Sequence, residues 1–422
     1  MQDIFLANKK QLFIFKVVGH SQAVRQRVLI PSSGGSNPSA PAVRFNSFCV
    51  SVKKHKKVVL VISSLSFVAC LGMGLLFREF GRAPSKAEVR QFEKLPYFKN
   101  GRFFNPYKSI EEFKIPSKDE DNSVNWTYKQ LFEIFFNSSK YKPKHKVEVI
   151  NLTRDSFNKV PDYWTSLYWL GHATVIMELN QKRIIVDPVF GNTAPVPFVV
   201  RRMVKPPIRR SQLPHIDYVI ITHNHMDHLE RKTIRKLRYA HFIVPLGVGA
   251  ALRGWGVRKD HITELGWGDK FVADGIIFNA EPAMHFSQRS LWDFNKTLWN
   301  SYVIKTVYNN PKHNNQIFIA GDGGFGTHID EIARKYGKFD LVAIEIDAWN
   351  IRWPYVHMFP REVVEVAKRL QTRYILPVHY GTYPLGAHKY DVSMNMLLEE
   401  VKQHKMRDRL LTPKMGEKVV LK

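Results

Sequence analysis

The apolar positions of this chain follow two different patterns, and the first is an unbroken run near the amino terminus. Residues 58–77 read VVLVISSLSFVACLGMGLLF, without a charged side chain. At about 1.5 Å rise per residue, a helix of this length would cover the roughly 30 Å hydrocarbon core of a bilayer. We therefore predict a membrane segment at 58–77, with a soluble core helix as the competing interpretation. Basic residues flank it on both sides: Lys53, Lys54, Lys56, Lys57, Arg78 and Arg82.

The second pattern begins near residue 163, where short β-branched runs alternate with turns. Helical three- and four-residue spacing appears at 230–238 and 361–370. Many strands with helices between them favour an α/β fold, in which two sheets lie between helix layers. The runs that predict strands are SLYWLGHATVIMEL, RIIVDPVF, DYVIITH, HFIVP, GIIFNA, SYVIKTV, QIFIAGD, LVAIEID and RYILPVH.

These patterns predict four parts of the chain. A basic amino-terminal segment (1–57) leads into the membrane segment or signal anchor (58–77). An arm (78–160) then leads into the α/β domain (161–422).

The net charge and the cysteine content limit which ligands and which metal sites the chain can have. With 63 Lys and Arg against 37 Asp and Glu, the formal net charge is +26, which attracts nucleic acid, anionic lipid or an anionic substrate. Composition does not choose among these three. Only Cys49 and Cys70 are present, so a metal site in the α/β domain must use His, Asp and Glu.

Two targeting schemes fit the amino terminus. Residues 67–70, FVAC, resemble a bacterial lipoprotein cleavage box, which would place the protein on the bacterial envelope as a lipoprotein or single-pass protein. Residues 1–57 are rich in basic residues and serine, which suits a mitochondrial presequence before an inner-membrane anchor. Both schemes leave the protein on a membrane.

The strongest chemical signal follows the run DYVIIT, where four potential metal ligands occur within six residues: His223, His225, Asp227 and His228. Neutral imidazole suits zinc, and a neighbouring carboxylate can bind a second ion. A solvated His-rich loop is the alternative interpretation. A metal site is favoured because the cluster stands at the end of a buried apolar strand.

Three later residues repeat this arrangement. His285 follows GIIFNAEPAM, Asp322 follows QIFIAG, and His379 follows RYILPV. With the first cluster they supply the seven groups that two metal ions sharing Asp322 would need. A two-metal site can hold a bridging hydroxide as nucleophile and stabilise charge on a phosphoryl or acyl oxygen.

The ligand series resembles that of the metallo-β-lactamase superfamily: His-x-His-x-Asp-His, a later His, an Asp in a Gly-Asp-Gly turn and a final His. The motifs WLGHATVIMEL, VDPVF, HFSQRSLWDFNKTLW, FIAGDGGF and LPVHYGTY resemble the branch of N-acyl-phosphatidylethanolamine-hydrolysing phospholipase D and its bacterial relatives. This resemblance implies an αββα sandwich with two Zn²⁺ ions. By motif, one zinc would be held by His223, His225 and His285, the other by Asp227, His228 and His379, with Asp322 bridging them.

The resemblance also implies a reaction, in which a metal hydroxide attacks the phosphodiester phosphorus and releases phosphatidic acid and N-acylethanolamine. Asp227 would then be catalytic as well as a ligand, and His357 is a candidate for proton transfer. We interpret His172 as a buried orienting residue. The alternatives are a lactonase, amidase or nuclease of the same fold, and a non-catalytic membrane-anchored metal-binding protein.

The sequence departs from the family pattern at two places. The usual Gly-Asp-Thr-Gly reads Gly-Asp-Gly-Gly around Asp322, which removes a hydroxyl that could support the carboxylate. Glu345 and Asp347 lie on one strand face where relatives tend to have small or apolar residues. We favour a salt bridge from this face to Arg352 over a role in the pocket.

The expected partners are a phospholipid and the membrane. In the loop 193–210, Phe198, Arg201 and Arg202 are the candidate groups that face substrate or membrane. A proline-ordered surface loop is the alternative. No nucleic acid is expected, because the chain lacks the aromatic-plus-basic repeat of a strand-binding channel. The sequence leaves open whether the chain forms a homodimer. Four tryptophans either form a wall that accepts the acyl chain or belong to the ordinary core: Trp292, Trp299, Trp349 and Trp353.

Overall fold

A computed structural model describes residues 63–64, 66, 72, 74, 77–109, 138–157, 164–193, 200–308, 310, 313–351 and 353–421. The chain divides into Met1–Ser66 and Phe67–Lys422, and the elements below belong to the second unit. Within the described residues, no helix has both the length and the hydropathy that crossing a bilayer requires. The predicted membrane segment at 58–77 and both targeting motifs lie almost wholly outside these residues, so they stay predictions.

Two large sheets form the centre of the second unit. In chain order the strands are β1 (Phe98–Lys99), β2 (Arg102–Phe103), β3 (Thr165–Trp169), β4 (Val175–Leu179), β5 (Lys182–Val186), β6 (Tyr218–Ile220), β7 (His241–Pro245), β8 (Ile262–Leu265), β9 (Lys270–Ala273), β10 (Ile276–Glu281), β11 (Ser301–Thr306), β12 (Gln316–Ile319), β13 (Leu341–Glu345), β14 (Tyr374–Val378) and β15 (Lys418–Leu421). The helices are α1 (Lys86–Phe92), α2 (Arg231–Lys236), α3 (Val248–Gly254), α4 (His328–Tyr336), α5 (Pro360–Arg369) and α6 (Val392–Gln403).

Both sheets are mixed. The first has the order β15-β3-β4-β5-β6-β7-β8, and its pairs from β5 to β8 are parallel. The second has the order β14-β13-β12-β11-β10-β9, and its pairs from β12 to β14 are parallel. Carboxyl ends of neighbouring parallel strands emerge at the same edge of a sheet, so each sheet has an edge where loops gather.

Successive side chains of a strand in the first sheet pack against different layers of the fold. On β4 and β5, Ile176 and Ile185 pair and pack in a cluster with residues of α2 and α3. Their neighbours Met177 and Ile184 pack with residues of the second sheet, such as Phe318. Because successive side chains of a strand point to opposite faces, the first sheet is buried on both.

Helices α4, α5 and α6 contribute residues to the large cluster that contains the second sheet. Layers of helices and two sheets therefore give an αββα arrangement, as expected from the strand and helix pattern. Most of the predicted runs form strands. The run SLYWLGHATVIMEL, however, is two strands, because the chain reverses at Gly171 and His172, both with positive φ.

The described part of the arm packs on the α/β domain. Phe92, Phe98 and Phe103 form an aromatic cluster with Leu298 and Trp299. Their ring centroids lie 4.8 to 5.8 Å apart within the arm, and the Phe103 amide donates to the carbonyl of Asn295 at 2.8 Å. This contact positions the loop that follows His285.

Candidate metal centre

The loop after β6 holds the first four candidate ligands. At its start, the Asp187 carboxylate accepts from the amide of Thr222 at 2.8 Å and from its hydroxyl at 2.7 Å. At its end, one guanidinium nitrogen of Arg289 donates to the carbonyls of Asn224 at 3.1 Å and Leu229 at 2.7 Å. Both ends of the loop are thus fixed by buried polar side chains from other parts of the chain.

The structure brings all seven candidate ligands together at one edge of the two sheets. His285, Asp322 and His379 come after β10, β12 and β14, and they face the loop that follows β6. Four groups have ligand atoms within 4.8 Å of one another: His223, His225 and His285; His172, Asp227, His228 and His379; His223, His228 and Asp322; and Asp322, Glu345, His357 and His379.

Asp322 lies at the centre of this cluster. Its Oδ2 is 3.0 Å from Nε2 of His228 and of His379, 3.9 Å from Nε2 of His223 and 4.0 Å from Nε2 of His285. One carboxylate oxygen therefore contacts or nearly contacts imidazoles from both halves of the cluster. This is the position that a bridging ligand between two cations would need.

The donor set fits divalent cations. The Nε2 atoms of His228 and His379 are buried, yet within the described residues they make no hydrogen bond of acceptable geometry. Burial lowers the pKa of His225 and of His285 to about 3, which keeps their rings in the neutral form that binds metal. Despite burial, the charge of Asp322 raises the pKa of His228 well above its usual range and that of His379 to about 10. A bound cation would take the place of the proton at these two nitrogens.

Two further side chains support the cluster. Nδ1 of His228 is 2.8 Å from Asp187, the residue that also holds Thr222. Nε2 of His172 is 2.9 Å from Asp227, consistent with its interpretation as an orienting residue. The role of Asp187 is not evident from the sequence, where its one signal is a lone carboxylate in the motif VDPVF at the end of an apolar strand.

The two carboxylates of LVAIEID have separate histidine partners. Glu345 lies 2.5 Å from Nδ1 of His357 and accepts from the amide of Gly323 at 2.6 Å. Asp347 lies 3.2 Å from Nε2 of His388 and accepts from the hydroxyl of Ser393 at 2.9 Å. Arg352, the predicted ion-pair partner, is outside the described residues.

The pKa values of Glu345 and His357 are shifted in opposite directions. Burial, and then the charge of Asp322, raises the pKa of Glu345 well above its usual range. Burial lowers the pKa of His357 to about 4. The form in which both side chains are neutral is therefore favoured. The His357 ring also lies next to the candidate ligands, since its centroid is 5.2 Å from that of His285 and 5.5 Å from that of His379.

Three residues of the site have left-handed backbone conformations. The φ angles are 54° at His172, 42° at Asp187 and 64° at His379. Non-glycine residues rarely adopt these angles, and such strain collects at functional sites. The amide of His379 donates to the carbonyl of His172 at 2.9 Å, so two of the three strained positions stabilise each other.

The structure describes two of the three candidate residues that face substrate or membrane. Phe198 lies outside the described residues, and Arg201 is exposed. Arg202 instead donates through Nη1 to the carbonyl of Val189 at 2.9 Å and to the Tyr383 hydroxyl at 3.0 Å, so protein atoms hold this side of its guanidinium. Their role in substrate or membrane contact stays a prediction.

The four tryptophans occupy different environments. Trp299 and Trp353 are buried, and Trp349 stacks on His388 with a centroid distance of 4.5 Å. Trp292 is 54% exposed. They do not form one continuous wall: Trp299 packs with the arm, while Trp292 contacts Phe77 and Phe80.

Comparison with known proteins identifies the family. A family model described as "Beta-lactamase superfamily domain" matches residues 182–380, which include all seven candidate ligands. The N-acyl-phosphatidylethanolamine-hydrolyzing phospholipase D 1 of Caenorhabditis elegans is 32% identical over 269 residues, which cover 60% of this chain and 73% of that protein. The chain belongs to the metallo-β-lactamase superfamily. Within it, the chain falls in the branch of N-acyl-phosphatidylethanolamine-hydrolysing phospholipase D.

Two further proteins are also similar to the chain. An uncharacterized protein of Mycobacterium bovis is 37% identical over 238 residues, covering 54% of this chain and 62% of that protein. The mitochondrial N-acyl-phosphatidylethanolamine-hydrolyzing phospholipase D of Saccharomyces cerevisiae is 29% identical over 277 residues, covering 62% and 56%. The chain thus spans a little under two thirds of the mycobacterial relative. Membership makes the chain a metallo-hydrolase, and divalent-metal binding is implied by the fold together with the buried His/Asp cluster.

Proposed function

We propose that the protein is a phospholipase D-type phosphodiesterase that hydrolyses N-acyl-phosphatidylethanolamine to phosphatidic acid and N-acylethanolamine. The observation that carries this proposal is the central position of Asp322 among imidazoles from both halves of the cluster. The branch relatives named for this activity support the substrate class.

The residues that would hold two cations, which we propose to be zinc, belong to the groups whose ligand atoms lie close together. His223, His225 and His285 would hold one, Asp227, His228 and His379 the other, and Asp322 both. When bound, such a pair supplies an activated water and neutralises charge on the phosphoryl oxygens.

The protein's own residues hold this arrangement in place. Asp187 fixes the ring of His228 through Nδ1, which leaves Nε2 for the cluster. His172 fixes the Asp227 carboxylate. Partners of this kind set ring orientation and tautomer, and their loss typically weakens metal binding about 10- to 100-fold.

His357 is the residue best suited to move a proton. Glu345 holds its Nδ1, so Nε2 is the atom that can give a proton to the oxygen of the departing N-acylethanolamine. Since Glu345 is favoured in its protonated form, its carboxyl proton could pass to Nδ1 as Nε2 gives up its own, which is what general acid catalysis by this pair requires. Access of the lipid to this site would come from the membrane, consistent with the apolar segment 58–77.

The test is an assay of the purified full-length protein on N-acyl-phosphatidylethanolamine in mixed micelles, with and without added zinc. We expect zinc-dependent release of equal amounts of phosphatidic acid and N-acylethanolamine. The variant D322N should bind less metal and lose activity. The variant D347N alters a carboxylate of similar burial that pairs with His388, so it should keep both.

Other outcomes would assign other functions. Metal-dependent cleavage of lactones, amides or nucleotides, but not of this lipid, would replace the phosphodiesterase proposal with another hydrolase of the same fold. Metal binding without turnover of any of these substrates would indicate a metal-binding protein that does not catalyse.

A further inference from the structure

Four large apolar side chains are exposed on two neighbouring segments of the chain. Leu291 is 91% exposed, Phe77 and Trp292 are each 54% exposed, and Phe294 is 40% exposed. The two segments are in contact, because the ring centroid of Trp292 lies 5.7 Å from that of Phe77 and 5.7 Å from that of Phe80. We call the four exposed residues the apolar face. Adjoining apolar side chains on a surface often mark an interaction site.

The loop that carries three of these residues has a fixed backbone. The carboxylate of Asp293 accepts from the amides of Arg289 and Ser290 at 2.9 and 2.7 Å. The amide of Asn295 donates to the carbonyl of Ser287 at 2.7 Å, and the Ser287 amide donates to Oδ1 of Asn295 at 3.0 Å. These hydrogen bonds hold the loop in a conformation that leaves its apolar side chains on the surface.

The segment that carries Phe77 is also held against the α/β domain. Nε1 of Trp255 donates to the carbonyl of Arg78 at 2.8 Å. The carboxylate of Glu79 forms an ion pair with Arg231 at 3.0 Å, and its carbonyl accepts from Arg289 at 2.7 Å. The two halves of the apolar face therefore keep a constant position relative to each other.

The border of the apolar face is cationic. Arg78, Arg82 and Arg102 are exposed, and Lys296 lies in the same loop as Phe294. The guanidinium of Arg102 lies over the ring of Phe294, 5.8 Å from its centroid. The two acidic side chains of these segments are bound within the protein, one in an ion pair and the other by backbone amides.

We propose that the apolar face docks onto the surface of a bilayer that contains anionic lipids. Its apolar side chains enter the acyl region, and the cations around them meet the headgroups. Phe77 is the last residue of the predicted membrane segment 58–77, so the face lies where that segment would meet the membrane surface. A bilayer is favoured over a second copy of the chain because the cationic borders of two copies would repel each other.

A line of aromatic rings connects the apolar face with the candidate metal centre. The ring centroid of Phe294 lies 5.9 Å from that of Phe286. The Phe286 centroid lies 4.7 Å from that of His225 and 4.8 Å from that of His285. Docking would therefore bring the bilayer to a surface that lies two rings from the candidate ligands. The docking proposal does not depend on which reaction the metal centre catalyses.

The first test is quenching of tryptophan fluorescence by lipids that are brominated on their acyl chains. The metal-loaded full-length protein is reconstituted by detergent removal into vesicles of phosphatidylcholine and phosphatidylglycerol, with and without brominated lipid. The variant W292F keeps an aromatic ring in the face but removes one of the nine tryptophans. We expect the wild type to lose a larger fraction of its fluorescence than W292F, because Trp292 contacts the acyl chains.

The matched control is W349F. Trp349 stacks on His388 within the domain, so it should not contact the acyl chains. W349F should therefore lose at least as large a fraction of its fluorescence as the wild type. If W292F lost the same fraction as the wild type, or a larger one, the apolar face would lie outside the bilayer and the proposal would be overturned.

The second test concerns the charge of the lipid. In vesicles of phosphatidylcholine alone, we expect weaker quenching of the wild type at low ionic strength, since the cationic border then has no anionic headgroups to meet. The variant R82Q/K296Q should respond less to phosphatidylglycerol. The control K402Q/K405Q removes the same charge at the end of helix α6, which packs with the second sheet, and should respond as the wild type does.

A second copy of the chain is the competing occupant of the apolar face. Light scattering of the detergent-solubilised protein measures its oligomeric state. We expect the variant L291S/W292S to have the same oligomeric state as the wild type. A dimer that L291S/W292S dissociates, together with equal quenching in the wild type and W292F, would assign the face to a second copy and overturn the proposal.

Discussion

Asp187 has three hydrogen-bond partners around its carboxylate: the amide and hydroxyl of Thr222 and Nδ1 of His228. It therefore fixes both the start of the metal-binding loop and the ring of one candidate ligand. Because it is fully buried, the carboxylate has no water to replace these partners. At the scale of single residues, the site depends on such supporting groups as much as on the ligands.

The variant D187N tests this support. Asparagine keeps the shape of the side chain but loses one acceptor oxygen and the negative charge, so we expect divalent-metal affinity to fall by about 10- to 100-fold. Competition with a chromophoric chelator measures it. E178Q is the control, since Glu178 is also buried but pairs with Arg183 and Ser166. Unchanged affinity in D187N would contradict the role assigned to Asp187.

The pair of Glu345 and His357 leads to a second prediction at this scale. In E345Q the side chain can still contact Nδ1 of His357, but it can no longer exchange a proton. We expect turnover to fall by about tenfold or more, with little change in KM. H357Q should cause a similar loss, and the double variant should lose no more than either single variant, because the two residues act as a unit. Additive losses would argue against the pair.

At the scale of elements, helix α5 begins with a buried acid. Glu362 is 4% exposed, and its carboxylate accepts from the amide of Phe359 at 2.8 Å. Burial raises its pKa to about 7 from an ordinary value of 4.5. The folded state therefore prefers the protonated acid, so stability falls as pH rises from about 4.5 to about 7, and the loss is complete above that range.

The variant E362Q should remove this dependence. Its amide oxygen can still accept from Phe359, and it carries no charge at any pH. We expect E362Q to gain stability relative to the wild type between pH 5 and pH 8, by at most about 3 kcal/mol, since one pKa unit corresponds to about 1.4 kcal/mol. Urea unfolding at both pH values measures the difference. E365Q, on the same helix at a half-buried position that pairs with Lys368, should show no such change.

At the scale of the whole molecule, the candidate metal centre joins the two sheets. His223 and His228 follow β6 of the first sheet, whereas Asp322 and His379 follow β12 and β14 of the second. Cations bound between them would therefore cross-link the layers of the sandwich. Ligands that bind only the folded state stabilise it in proportion to the logarithm of their concentration.

Removal of metal should consequently destabilise the protein. At a free metal concentration a thousandfold above Kd, the stabilisation is about 4 kcal/mol. We expect a chelator to lower the unfolding temperature by several degrees, and readdition of zinc to restore it. Differential scanning calorimetry measures the shift. D322N should show a much smaller one, and an equal shift in D322N would mean that the cations bind elsewhere.

Much of the fold was predictable because the signals are local. Apolar β-branched runs predict strands wherever the chain is buried on both faces, and helix α5 differs from its predicted bounds, 361–370, by one residue at each end. Within the α/β domain, the sequence pattern does not predict strands β8, β9 and β15. They are four residues each and include half-buried or exposed positions, so their patterns resemble those of loops.

The sequence by itself determined the candidate ligands, because four of them lie within six residues and the others each follow an apolar strand. Only the tertiary structure decided which groups support them. Asp187 and His228 are 41 residues apart, and His172 and Asp227 are 55 apart. Such contacts depend on how the sheets and loops close on one another, and local propensity carries no information about that closure.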